Sequence, residues 1–168
     1  MTENDNHSST EAPNPTRQYP KAMRIQRVAA VLIDGLLVVT LLSLTPFVSN
    51  LGLEGYFETA SPIPGSVVVQ LIICTFVIFL LVNGWWIYRY GQTVGKRVLR
   101  IAIATNQYKV PPFNRVVLVR YFPFMIAFIF PILNPINIVD WLMILRDDRR
   151  CLHDILAGTQ VIDVSQAR

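Results

Sequence analysis

The chain has 168 residues, of which 52% are hydrophobic and only 15% are charged, and its mean hydropathy is +0.42. This balance excludes an ordinary soluble domain and indicates an integral membrane protein. The net charge of +4 does not predict a nucleic-acid partner, because the basic residues cluster beside apolar segments, where membrane topology explains them. The two cysteines, Cys74 and Cys151, are too few for a disulfide framework.

Residues 1–22 are polar and contain three prolines, so they predict a disordered cytoplasmic tail rather than a cleaved signal peptide. The apolar run that follows, residues 28–48, contains one charge and is long enough to span a bilayer core of about 30 Å. A second run, residues 67–88, is uncharged and ends in the tryptophan and tyrosine residues typical of a membrane interface. Residues 23–168 are therefore expected to form one membrane domain.

A third apolar segment, residues 121–145, is interrupted by Pro123, Pro131 and Pro135. Proline removes a backbone donor and clashes with the preceding turn, so neither half of the segment is long enough to cross a bilayer as a helix. The segment is therefore either one kinked span or a re-entrant pair of short helices. The arginines that follow it favour re-entry, because basic flanks prefer the cytoplasmic side.

The connections predict the orientation of the chain. The loop 89–120 contains seven Lys or Arg residues and no acid, whereas the link 49–66 contains acids and no basic residue. By the positive-inside rule, the N-terminus and the basic loop are cytoplasmic. Within this loop, the pattern of residues 97–110 predicts a short β-hairpin, and residues 158–164 have the same β character, so that a small sheet joining the two is also expected. The expected fold is an all-α membrane protein with this hairpin added.

Asp34 lies well inside the first span, where an unpartnered carboxylate costs on the order of 3 kcal/mol. Arg27 precedes it by seven residues, about 10 Å along a helix, and its side chain leans away, so the two are not expected to pair directly. We expect Asp34 to pair with Asn83, Arg120 or a group in the third segment. Function and helix–helix adhesion are equal alternatives for Asp34, whereas membrane anchoring is favoured for Arg27.

Asp140 is the second acid within an apolar run. If the third segment re-enters, this residue would face Asp34 across a polar cavity, with Asn134 and Asn137 nearby. Such an oxygen-rich cavity suits a cation or a proton. The alternative is an interfacial aspartate beside Trp141.

The stretch GQTVGKR, residues 91–97, lacks the spacing and the final Ser or Thr of a phosphate-binding loop. It predicts a turn at the membrane surface, where Lys96, Arg97 and Arg100, and further along the chain Arg120, would contact anionic lipid or a partner protein.

The stretch CLHDILAGT, residues 151–159, predicts a short docking helix that ends at Gly158. His153 and the adjacent Asp154 would point apart on that helix, and Cys151 and His153 lack the further ligands that zinc needs. No nucleophile lies beside a base, so we predict no enzyme, no cofactor and no metal.

Three segments together resemble the RDD family of membrane proteins, which is named for one arginine and two aspartates. They are RVAAVLID, GQTVGKRVLRIAI and RRCLHDILAGTQVI, joined by Arg120, and the resemblance covers about residues 23–165. Arg27 and Asp34 match the arginine and the first aspartate. Asp140 and Asp154 are both candidates for the second aspartate.

The resemblance implies a multi-pass protein of the bacterial inner membrane. The family is described as transporting unidentified ligands, and some members are linked to sodium–proton exchange, which makes an ion or small solute the expected cargo. Two or three spans are too few for a pore, so transport would require a homo-oligomer. The alternative is a non-transporting adaptor whose basic cytoplasmic residues bind a protein or anionic lipid.

Overall fold

The computed structural model describes residues 12–45, 63–129, 133–145 and 150–166, and two long helices dominate it. Helix α1 covers Arg24–Ser43 and helix α2 covers Gly65–Tyr90. Both are long and apolar enough to cross a membrane, with mean hydropathies of 2.0 and 2.7. They expose large apolar side chains, such as Leu36 at 71% and Leu81 at 79%. A soluble protein would bury that surface, so the two predicted spans are confirmed as membrane-type helices, although the predicted end of the first lies outside the described residues.

The remaining elements are short. In chain order they are helix α3 (Val94–Val98), strand β1 (Ile101–Thr105), helix α4 (Phe113–Arg115), a π-helical turn (Val116–Tyr121), helices α5 (Phe122–Ile129), α6 (Asn134–Leu142) and α7 (Leu152–Leu156), and strand β2 (Thr159–Asp163). Single 3-10 turns follow α6 at Met143–Leu145 and β2 at Val164–Gln166. The fold is mostly helical, as predicted.

Strands β1 and β2 pair antiparallel, with Ile101 opposite Asp163 and Thr105 opposite Thr159. This is the predicted sheet between the basic loop and the C-terminal segment. Within residues 97–110, only one strand of the predicted hairpin, β1, is present, and the chain after it makes a turn in which the Thr105 amide donates to the Lys109 carbonyl at 2.9 Å. The turn residues are polar, whereas β2 contributes buried apolar side chains, so β2 is the better partner for β1.

The end of the predicted disordered tail is ordered. The Ala22 amide donates to the Val161 carbonyl at 3.0 Å, and the Asp163 amide donates to the Pro20 carbonyl at 2.9 Å. Tyr19 and Ala22 are buried in the apolar clusters around the sheet. The open edge of β2 thus pairs with this segment, because an edge strand offers unpaired backbone groups. The prediction of disorder through residue 22 is therefore wrong for residues 19–22, whereas residues 1–11 lie outside the described part.

The third apolar segment contains two short helices, α5 and α6, and residues 130–132 between them lie outside the described part. The π-helical turn that precedes α5 ends next to Pro123, whose ring nitrogen has no hydrogen to donate. At the far end of the segment, the Arg24 side chain donates to the Ile144 carbonyl at 3.1 Å. At the near end, Arg120 pairs with Asp154, which also pairs with Arg27 in the first turn of α1. Both ends of the segment therefore lie beside the start of α1.

Candidate functional site

Asp34 is buried, and both of its carboxylate oxygens accept hydrogen bonds from the segment that begins α3. The Thr93 hydroxyl donates to one oxygen at 2.5 Å, and the Gly95 amide donates to the other at 2.7 Å. Thr93 is the N-cap of α3, and its hydroxyl oxygen accepts from the Lys96 amide at 3.4 Å. The amides of a first helical turn lack partners within the helix, so Asp34 and Thr93 together supply them. Asp34 thereby fastens α3 to α1.

The partner of Asp34 does come from another segment, but the predicted identities are wrong. Asn83 binds the same short helix instead, since its side-chain oxygen accepts from the Val94 amide at 2.9 Å. Arg120 pairs with a different acid. Asp34 and Asn83, from the two long helices, therefore meet at the start of α3.

Two glycines permit the close contacts of this segment. A Cβ at Gly95 would lie 2.3 Å from the Ala30 carbonyl oxygen of α1, and a Cβ at Gly91 would lie 2.4 Å from the Ile103 carbonyl oxygen. Gly91 also has φ 65°, which favours glycine. The stretch 91–97 is thus more than the predicted turn, because it begins a helix that packs directly on α1.

The predicted lipid-facing role fails for two of four basic residues. Lys96 is buried and donates to the Tyr121 hydroxyl at 3.2 Å, and Arg120 is buried in an ion pair. The guanidinium of Arg97 stacks 4.0 Å above the Trp86 ring. Arg100 is exposed. A residue that satisfies a buried hydrogen bond cannot also reach lipid headgroups, so within this set Arg97 and Arg100 remain near the surface.

Asp154 is fully buried and binds two arginines from different parts of the chain. Arg27 Nη1 lies 3.2 Å from one carboxylate oxygen, and Arg120 Nη1 contacts the other. The same Arg120 nitrogen donates to the Thr159 hydroxyl at 2.7 Å, and Arg27 Nη2 donates to the Val161 carbonyl at 3.1 Å. The cluster of Arg27, Arg120 and Asp154, called the arginine clamp below, joins α1, the π-helical turn, α7 and β2. Arg27 is therefore more than the predicted membrane anchor.

Several groups in and near the clamp have shifted pKa values. Burial alone would raise the pKa of the Asp154 carboxyl, but the charge of Arg120, supported by that of Arg27, holds it below its ordinary value. Burial, reinforced by the charge of Arg120, lowers the pKa of His153 despite its contact with Asp140. At neutral pH the clamp is thus an ionised carboxylate between two guanidinium groups, beside a neutral imidazole.

Asp140 lies on α6, where it is buried rather than snorkelling or interfacial. Its carboxylate accepts from the His153 backbone amide at 2.9 Å and contacts the Nδ1 of the same residue at 2.7 Å. Cys151 is close by, and one donor atom from each of the three residues lies within 4.8 Å of the other two. Burial, followed by the charges of Asp154 and Asp140, raises the pKa of the Cys151 thiol to about 12. The fold thus places Asp140 beside Cys151 and His153, the two residues that by themselves are too few to bind a metal.

Two adjoining cavities lie between these groups. The larger, called the main cavity, has a volume of about 320 Å³ and is lined by both predicted acids, Asp34 and Asp140, and by Lys96, Arg120 and Asn137. The smaller, called the side cavity, has a volume of about 80 Å³ and borders the arginine clamp and the three residues around Asp140. Both acids therefore line one cavity, but its walls are mainly apolar, with side chains such as Phe76, Phe79 and Phe124, and not polar as predicted.

Comparison with protein families matches residues 21–158 to the RDD family, a family of membrane proteins. No curated protein and no solved structure matches the chain. The match covers both candidates for the second aspartate, and Asp154 is the one that the fold pairs with Arg27. On the extent of this match, and with two membrane-type helices in place, the chain belongs to the RDD family.

Proposed function

We propose that this protein carries an ion or a small polar solute across the bacterial inner membrane as a homo-oligomer, with cation–proton exchange as the first reaction to test. The observation that carries the proposal is the main cavity, because a space of about 320 Å³ with four charged residues among mainly apolar walls borders two exposed membrane-type helices. Polar side chains at membrane depth are costly and mark solute or ion pathways.

The lining of the main cavity has acceptors and donors to offer a solute. Asp34 and Asp140 bring carboxylates to it. Within the described part of the chain, two buried donors on its wall have no hydrogen-bond partner: the Nε of Arg120 and the Nδ2 of Asn137. Buried donors require an acceptor, so a solute or water with accessible oxygen atoms would satisfy them. This combination supports binding of a small polar species in the cavity.

The membrane topology that we propose has a re-entrant third segment and a cytoplasmic N-terminus. Its support is that both ends of the third segment lie beside the start of α1, one through Arg24 and the other through the arginine clamp. A segment that crossed the bilayer would place its far end about 30 Å away. The loop 89–120, rich in basic residues, lies at the same end of α1 and favours the cytoplasmic side.

A matched pair of glycine variants tests transport. Gly35 lines the main cavity and Gly84 does not, yet an added Cβ meets nothing within 4 Å at either position. Leucine at residue 35 would therefore fill the cavity, whereas leucine at residue 84 would leave it open, and both lie inside long helices. The assay is dye-reported proton movement driven by a sodium gradient in proteoliposomes.

We expect exchange in the wild type and in Gly84→Leu, and a rate close to that of protein-free vesicles in Gly35→Leu. Equal rates in the two variants would refute the assignment of the pathway to the main cavity. A wild-type protein that moves no protons in response to the gradient would refute cation–proton exchange.

Binding of a partner or anionic lipid at the cytoplasmic face is the second proposal, and the position of Arg100 supports it. Arg100 is exposed, and the neighbouring Arg97 stacks on Trp86 and Tyr90, at ring distances of 4.0 and 5.1 Å, in the last turns of α2. A photocrosslinker at Arg100 should then capture a protein or a lipid in native membranes. The buried Lys96 is the control position, and no product from Arg100 would count against an adaptor.

A further inference from the structure

We propose that Asp140, Cys151 and His153 bind a single divalent transition-metal ion of the zinc class. The site lies between α6 and α7, at the cytoplasmic end of the third segment, and two of its residues, Asp140 and His153, also line the main cavity. The metal would link α6 to the arginine clamp.

The geometry of the three donors fits one ion. Their donor atoms lie within 4.8 Å of one another, and His153 Nδ1 lies 2.7 Å from an Asp140 oxygen. Metal–ligand bonds of about 2.0–2.3 Å place the ligands of a tetrahedral ion about 3.3–3.8 Å apart, at the short end for a nitrogen and an oxygen. The present contact would therefore widen by less than about 1 Å as the ion replaces the hydrogen bond. The backbone is already positioned, since the His153 amide donates to the same carboxylate.

The chemistry of the donors selects the type of ion. One sulfur, one imidazole nitrogen and one carboxylate oxygen form a set that Zn²⁺ and its neighbours accept and that Ca²⁺ or Mg²⁺, which prefer oxygen ligands, do not. The sequence alone did not predict such a site, because the third ligand comes from α6 and precedes His153 by 13 residues.

The two buried carboxylates near this position differ in their partners. The buried carboxylate of Asp154 is already matched by Arg27 and Arg120, so it does not need the metal. Asp140, in contrast, contacts a neutral imidazole and a backbone amide. The positive charge of Arg27 lies near the Cys151 side chain, which would support the sulfur as an anionic ligand.

Binding is an ion exchange and not a redox step. As the metal–sulfur bond forms, the Cys151 S–H bond breaks and its proton leaves to solvent. The neutral His153 ring binds the metal through Nδ1, so its proton moves from Nδ1 to Nε2 by exchange with water and is not lost. One proton is therefore released for each ion bound. Three protein ligands leave a fourth position, and the side cavity of about 80 Å³ has room there for a water ligand.

Cobalt(II) tests the site in the purified full-length protein in detergent. Coordination by a cysteine thiolate gives an intense sulfur-to-cobalt absorption band, so the wild type should develop this band at one equivalent of metal, release one proton, and lose the band when Zn²⁺ is added. The Cys74→Ser variant is the matched control, because Cys74 is the second free cysteine and lies on α2, and it should bind like the wild type.

The Cys151→Ser variant should lose the band, and His153→Gln and Asp140→Asn should weaken affinity by more than the ~10- to 100-fold typical of an outer-shell change. Size-exclusion profiles identify any variant that fails to fold, and the wild-type spectrum decides the question without variants. Absence of the band in the wild type, or its loss in Cys74→Ser alone, would overturn the proposal. Failure here leaves the transport assay unaffected, since that assay reports on the main cavity without added metal.

Discussion

Replacing Asp154 by asparagine tests the arginine clamp most severely, because it removes the charge and keeps the shape. Asp154 is fully buried, and the two guanidinium groups that it binds, those of Arg27 and Arg120, are only 6% and 3% exposed. Two unit charges about 4 Å apart attract each other by about 4 kcal/mol at an effective dielectric constant near 20. Without the carboxylate, both attractions are lost and the two buried cations repel each other.

The expected cost of Asp154→Asn is about 3–5 kcal/mol, the range found when one partner of a buried ion pair is removed. This is a large part of the stability of about 5–15 kcal/mol that is typical of a protein. The measurement is the free energy of unfolding in mixed micelles. Asp163→Asn is the control, because Asp163 is also buried but accepts its hydrogen bonds from Gln26 and Ser165, and it should cost about 1–3 kcal/mol.

A double variant tests whether the cost of Asp154→Asn comes from the unpaired arginine charges. Adding Arg27→Met to Asp154→Asn removes one of the two unpaired cations, so the double variant should be more stable than the sum of the single costs predicts, by at least about 1 kcal/mol. If Asp154→Asn costs no more than Asp163→Asn, or if the two changes add within about 0.5 kcal/mol, the clamp does not stabilise the fold through its charges.

Two further predictions concern α3. Gly95→Ala should lower the free energy of unfolding by about 1–3 kcal/mol, because its Cβ would collide with the Ala30 carbonyl oxygen. Gly84→Ala, the control, should be neutral or stabilising. Equal thermal stability of the two variants would contradict the close packing of α3 on α1. Thr93→Val should lower the free energy of unfolding by about 1–2 kcal/mol, because it removes both the helix cap and the hydrogen bond to Asp34. Thr93→Ser keeps a hydroxyl and should retain most of that stability. Equal stability of the two variants would show that the hydroxyl contributes nothing.

The sequence predicts the membrane helices because hydropathy acts over a whole segment. Residues 67–88 are uncharged and apolar, and α2 covers them with two added residues at each end. The prolines likewise predict the division of the third segment into short helices, because the missing amide hydrogen has a local effect. The sheet was only partly predictable, since the β character of residues 97–110 does not say which strand they pair with, and the buried side chains of β2 decide that.

The hydrogen-bond partners of the acids were not predictable in the same way. Asp34 accepts a hydrogen bond from the backbone amide of Gly95. Because almost every residue has such an amide, the sequence does not indicate which one is the partner. A signal was nevertheless present, because Thr93 followed by a short helix is an N-cap pattern and Gly95 marks a close approach. The contact between Asp140 and His153 depends on the path of the chain between them, and no periodic pattern specifies that path.

The arginine clamp can form only if both ends of the third segment lie at the same face of the membrane. Asn106 and Gln166 are both exposed, so a single cysteine at either position can be labelled. The cysteine at Asn106 reports on which side of the membrane the basic loop lies, and the one at Gln166 does the same for the segment after β2. A cysteine at Ser66 reports on which side the first turn of α2 lies. Each cysteine is introduced into a variant from which Cys74 and Cys151 have been removed. The labelling reagent is a maleimide that cannot cross the membrane.

We predict that the cysteines at Asn106 and Gln166 react from the same side, the cytoplasmic one, and that the cysteine at Ser66 reacts only from the other side. Reaction of the Asn106 and Gln166 positions from opposite sides would mean that the third segment crosses the bilayer. Asp154 would then be separated from Arg27 by the membrane core, and the arginine clamp could not form.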